Sequence, residues 1–161
     1  MNVNAIINLS NSDIIHEFLN HCDRTEQSIR NMLASKTVDA IWMASQVASV
    51  VAGRYRVSLV MCLDNFFNQP GRITQTGIGR RLYDVRIGAF HSMITDWHNG
   101  YMPGAVIPYT EPEWRRFYSQ ILGNENTIHE MMTIISADQN HLAYQLWEWL
   151  KANYPQFVQV D

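Results

Sequence analysis

The sequence predicts an all-α fold, and three observations carry that expectation. Apolar residues recur at steps of three and four over long runs, the spacing that gathers them on one side of a helix. Helix-start signatures stand ahead of those runs, at Ser10 or Ser12 and at Thr110, which is followed by Pro112 and Glu113. Residues that interrupt helices fall between the runs: Pro70 and Gly71 inside NQPGR, Asn99-Gly100, Gly123-Asn124 and Tyr154-Pro155.

Taken in order, the first run follows Ser10 or Ser12 and carries Ile14, Ile15, Phe18 and Leu19 as its apolar stripe. A second run, Thr25 to Ala34, shows Ile29, Met32 and Leu33. Thr37 to Phe67 is apolar on several faces, through Trp42, Val47, Val50, Val51, Leu59, Val60 and Leu63, so it belongs at the centre. Gly53 marks an expected break there between two helices. After Pro70-Gly71 a long helix runs from about Thr76 to His98. Asn99-Gly100 and the segment YMPGAVIPYTEP form the largest loop, and the helix opened by Thr110 ends at Gly123-Asn124. Thr127 to Ile135 and Gln139 to Ala152 complete the set. No internal repeat, low-complexity tract or linker divides the chain, which reads as one domain over 1–161.

Composition narrows the function classes. With 161 residues, 47% of them hydrophobic, the chain has enough apolar material for a proper core. It lacks an uninterrupted apolar stretch of about 18 residues, and MNVNAIINLSNSD lacks the pattern of a secretory signal, so no membrane association is expected. Cys22 and Cys62 are widely spaced with no CxxC, which points to a reduced, cytoplasmic protein without a metal site. His16 and His21 do not share a helical face, and His129-Glu130 lacks the second histidine of a zinc-protease helix. No nucleophile elbow, phosphate loop or dinucleotide fingerprint is present, and a binding protein rather than an enzyme is expected.

Charge is unevenly placed. From residue 54 to residue 86 lie six arginines (54, 56, 72, 80, 81 and 86) against Asp64 and Asp84, in a chain whose net charge is −3. Arginine's planar fork grips carboxylate or phosphate at two points, so the cluster suggests an anionic ligand. A nucleic-acid partner is disfavoured by the acidic flanks and a pI of about 6.0.

The long helix concentrates the candidate chemistry. Steps of three and four place Gly77, Arg81, Asp84, Gly88, His91, Thr95 and His98 on one face, with Ile78, Leu82, Val85, Ala89 and Met93 opposite. The polar face combines room at its glycines with cations, a carboxylate and imidazoles, which suits a flat ligand bearing carboxylate arms and ring nitrogens. The plainer alternative is a solvated helix face.

This segment resembles the chromophore helix of phycobiliproteins, the globin-related subunits of light-harvesting antennae. Their Pro-Gly turn is matched by Pro70-Gly71, their threonine-containing approach by Thr74 and Thr76, and the aspartate of their Cys-x-Arg-Asp motif by Asp84. The cysteine that carries the bilin is replaced by Arg81, and the arginine before the aspartate by Tyr83. The likeness continues in NAIINLSNSDIIHEFLN, in QSIRNMLASKTVDAIWMASQVASVV and in RRFYSQILGNENTIHEMMTIISADQNHLAYQLWEWL, covering nearly the whole chain.

The resemblance implies a globin-like phycobiliprotein fold with two extra N-terminal helices in residues 1–34 and a globin core in 35–161. It implies a linear tetrapyrrole, biliverdin or a reduced derivative, bound without a thioether as in the cysteine-lacking bilin biosynthesis-associated globins. Asp84 would accept hydrogen bonds from pyrrole N–H groups, Arg80, Arg81 and Arg86 would hold the propionates, and Gly88 would let a ring approach the backbone. Tyr83, His91 and Tyr118 complete the expected site. It also implies a homodimer or a paired sister subunit joined through the N-terminal helices, because Ile6, Ile7, Ile14, Ile15, Phe18 and Leu19 have nothing obvious in the chain to cover them. The alternatives are a haem protein using His91 or His98, a chromophore-free structural subunit, and a nucleic-acid-binding helical protein using the arginine cluster.

Overall fold

Each long apolar run becomes a helix whose stripe faces the same interior. The computed structural model describes residues 13–37, 41–67, 73–101, 109–137 and 139–159. Among them are α1 (Asp13–Lys36), α2 (Ile41–Phe67), α3 (Gln75–His98), α4 (Glu111–Phe117), α5 (Glu125–Ser136) and α6 (Gln139–Asn153). A π turn, Tyr118–Leu122, continues α4, and a 3-10 turn, Pro155–Phe157, follows α6. The fold is all-α.

The helix ends are set by local chemistry. Thr74 caps α3, its hydroxyl accepting the Gly77 amide at 3.0 Å, and Thr110 caps α4 by accepting the Glu113 amide at 3.4 Å. Asn124 caps α5 through the Asn126 amide at 2.9 Å. At the end of α3 the Gly100 amide bonds to the Trp97 carbonyl at 3.2 Å and the Tyr101 amide to the Asp96 carbonyl at 2.9 Å. Gly100 supplies the φ of +96° that this pair of bonds requires.

α3 is the axis of the bundle: it packs against α2, α5 and α6 and touches the π turn, while α1 lies along α2 and reaches α5 and α6. Val47, Val51, Leu59 and Leu63 of α2 meet the same core as Ile78, Leu82, Phe90, Met93 and Trp97 of α3 and Leu142, Leu146 and Leu150 of α6. The C-terminal segment is tied back to the start of α3, where the Gln159 amide bonds to the Ile73 carbonyl at 2.7 Å. Among the described residues no helix is long and apolar enough to cross a membrane.

Three expectations are corrected here. The runs 14–19 and 25–34 are one helix, not two. Thr25 sits inside α1 with its hydroxyl donating to the His21 carbonyl at 2.9 Å, so its polarity is satisfied without a helix break. Gly53 does not break α2; it is exposed, nothing lies within 4 Å of where its Cβ would be, and the buried neighbours Val51, Ala52 and Tyr55 hold the helix across it. The apolar stripe of α1 is covered within the chain: Phe18, Cys22, Ile29 and Leu33 are all buried, and Leu19 is partly so. A pairing surface argued from a bare stripe therefore loses that argument at Phe18 and Leu19. Ser10, Ser12, Ile6 and Ile7, and the side chains of Ile14 and Ile15, lie outside the described residues.

A candidate ligand-binding face on α3

The exposed side of α3 carries the expected polar stripe. Gly77, Arg81, Asp84, Gly88, His91, Thr95 and His98 are all exposed, and Arg80 and Tyr83 flank them, the tyrosine 44% accessible. Ile78, Leu82 and Met93 on the other side are buried, which fixes the rotation of the helix. At Gly88 an added Cβ would meet nothing within 4 Å, so the surface there is open.

The ion pairs divide the cations into two groups. Arg24, Arg30, Lys36, Arg56, Arg115 and Lys151 each bridge to a carboxylate, with Arg56–Asp23 at 2.7 Å linking α2 to α1. Arg54, Arg80, Arg81, Arg86 and Arg116 make no such bridge among the described residues. Four of those five belong to α2 and α3, and Asp84, one turn from Arg80 and Arg81, also has no ion-pair partner there. Carboxylate and cations that do not neutralise each other remain available to a ligand carrying both kinds of group. Arg72 lies outside the described residues.

Arg86 is not on this face. It is 2% exposed, in the middle of the buried stripe between Leu82 and Phe90, with its guanidinium carbon 4.5 Å from the centre of the Tyr55 ring. The expected propionate contact from Arg86 on the polar face is therefore withdrawn. The signal was in the spacing: Arg86 is four residues after Leu82 and seven before Met93, which puts it on their side of the helix. Tyr55, equally placed between Val51 and Leu59, belongs to the same buried seam.

Tyr118 is also separated from the stripe's centre. It lies in the π turn with its ring 5.6 Å from that of His98, and His98 is roughly 21 Å along the helix from Asp84. Burial raises the pKa of the Tyr118 phenol. His91 remains exposed, next in sequence to Phe90 with ring centres 6.1 Å apart. His21 is buried against Tyr55 with ring centres 5.8 Å apart.

The thiols are poor nucleophiles in this fold. Cys22 and Cys62 are fully enclosed, and burial pushes each up to about 12 despite the nearby arginines. Among the described residues no group of three or more His, Cys, Asp or Glu is placed to hold a metal ion.

Sequence reasoning did not anticipate a groove of about 310 Å³ lined by Thr37, Met43, Tyr109, Glu113, Arg116 and Gln120 among others. Its residues come from two separated stretches, residues 37 and 43 and residues 109–121, and only folding brings them together. Trp42 stacks on Tyr109 beside it, with ring centres 5.5 Å apart.

No family model, curated protein or solved structure matches the chain.

Proposed function

We propose that the protein binds an anionic ligand on the exposed face of α3, and that a linear tetrapyrrole held without a covalent link is the ligand that face fits best. The carrying observation is the stripe on which Arg80, Arg81 and Asp84 stand exposed and without ion-pair partners among the described residues, one turn before the open surface at Gly88. Asp84 is the acceptor for pyrrole N–H groups, a charge-assisted contact stronger than a neutral one. Arg80 and Arg81 hold the propionates. The enclosed, protonated thiols support non-covalent attachment. A micromolar complex needs only about −8 kcal/mol, within reach of two salt-bridged propionates and partial burial of the rings.

A second reading is favoured by the openness of the same face. Arg80 and Arg81 with the exposed Tyr83 also suit the backbone and bases of a single nucleic-acid strand. Asp84 opposes it by repelling phosphate.

Asp84→Asn separates the two. Under the tetrapyrrole reading, it weakens biliverdin binding by about tenfold or more and alters the bound absorbance, with circular dichroism unchanged. Under the nucleic-acid reading, it tightens binding to a single-stranded oligonucleotide. An unchanged biliverdin affinity and spectrum would overturn the tetrapyrrole assignment.

A further inference from the structure

Among the described residues the buried guanidinium of Arg86 has no carboxylate counter-charge. Its partner among the described residues is the neutral Tyr55 side chain, and it forms no ion pair with a carboxylate there. The ionisable groups that influence it are Tyr55, Cys22 and Cys62. All three are weak acids that are protonated at neutral pH even at their ordinary values, which burial raises further, so none offers it a negative charge. An arginine stays charged under these conditions, and the Tyr55 ring against it offsets only part of the cost of burying a charge without an opposite one.

Beside it lies a small cavity between α2 and α3. Arg54, Tyr55 and Arg86 line it, walled by Val51, Phe90, Met93 and other apolar side chains. Its volume is about 10 Å³, enough for one water-sized particle. Its polar side chains are two guanidiniums and one phenol, and no carboxylate is among the lining residues. The Tyr55 hydroxyl is buried beside the guanidinium, and because an arginine can only donate, the hydroxyl proton has no acceptor among the described residues. Arg54 is exposed, so the cavity has a charged rim at the surface.

We propose that Arg86, Tyr55 and Arg54 form a binding site for a small anion: chloride, or a single oxygen of an oxoanion such as phosphate. The anion supplies the negative charge that the interior around Arg86 lacks. Arg86 neutralises it from the inside, the Tyr55 hydroxyl donates to it, and Arg54 draws it in at the rim. The apolar walls strengthen these contacts by excluding water. The site is independent of the polar face of α3, because Arg86 lies on the opposite side of that helix.

The test is thermal unfolding of the full chain, desalted into sodium gluconate at constant ionic strength and titrated separately with chloride and with inorganic phosphate. A saturable rise in midpoint is expected, reaching roughly 5–10 °C at a hundredfold excess over Kd. A response to chloride identifies the monatomic ion, and a response to phosphate alone identifies the oxoanion. Arg86→Met should abolish the response, and Tyr55→Phe and Arg54→Gln should each weaken apparent affinity about threefold or more. Chloride-35 line broadening that disappears in the same variants gives a readout independent of stability. Absence of any saturable anion effect in the wild-type protein overturns the proposal. So does an unchanged response in Arg86→Met or, if that variant does not fold, in both Tyr55→Phe and Arg54→Gln.

Discussion

Replacing Trp114 with alanine is expected to remove about 3–5 kcal/mol of stability, a large part of what a domain of this size possesses. Trp114 is 1% exposed and sits where α4 meets α3. Its ring stands edge-on to Trp97, centres 6.1 Å apart, and tilted against Phe117 at 5.9 Å. Alanine would leave a cavity bounded by two other aromatic rings, which cannot collapse without moving α4. Trp114→Phe should cost much less, because it keeps a ring in place and removes an indole N–H that has no hydrogen-bond partner among the described residues. Urea unfolding followed by far-ultraviolet circular dichroism measures both. A loss below about 1 kcal/mol in the alanine variant would show that this junction is not part of the cooperative core.

Alkaline pH is expected to destabilise the protein by an amount of the same order. The thiols of Cys22 and Cys62 are pushed up to about 12 by burial, from 9.0 when unconstrained. Between those values the unfolded chain releases protons that the folded chain retains, so stability falls as pH rises. The contribution is fully present below about pH 9 and is lost progressively up to the folded values. At pH 11 the two thiols together account for roughly 5 kcal/mol, with buried Tyr55 shifted in the same direction. Urea midpoints at pH 8 and pH 11 should differ strongly in the wild-type protein and much less in a Cys22→Ala, Cys62→Ala double variant. An equal alkaline loss in both proteins would place its origin elsewhere.

Much of the architecture was legible because local chemistry and tertiary packing agree. Thr110 with Pro112 behind it, Asn99-Gly100 and Tyr154-Pro155 mark helix boundaries whose backbone bonds are found where those residues permit them. The long helix begins at Gln75 with Thr74 as its cap, one residue before its expected start at Thr76. Thr25 and Gly53 misled because their intrinsic preference against helix interiors is worth only about 1 kcal/mol or less. The buried residues around them outweigh it.

At the candidate site the legible part was the exposed stripe, where helical spacing alone sorts Asp84, Gly88 and His91 together. Arg86 was grouped with Arg80 and Arg81 by residue type, although its spacing from Leu82 and Met93 places it inside. A buried, uncompensated cation contradicts the usual rule that charge marks the surface, and such exceptions are where sequence reasoning about patterning fails. The groove at Tyr109 and Arg116 was not legible at all, since residues 37 and 43 approach residues 109–121 only through tertiary packing.

The reading of the α3 face as a tetrapyrrole site is tested most directly by titrating the purified protein with biliverdin and recording visible absorbance, then passing the complex through gel filtration in acidic urea. The expected result is a saturable red-region change with one pigment per chain and a midpoint near about 1–10 μM, followed by complete separation of pigment from protein on denaturation. A free-pigment spectrum that never changes up to about 100 μM, or pigment that remains on the denatured chain, would contradict it.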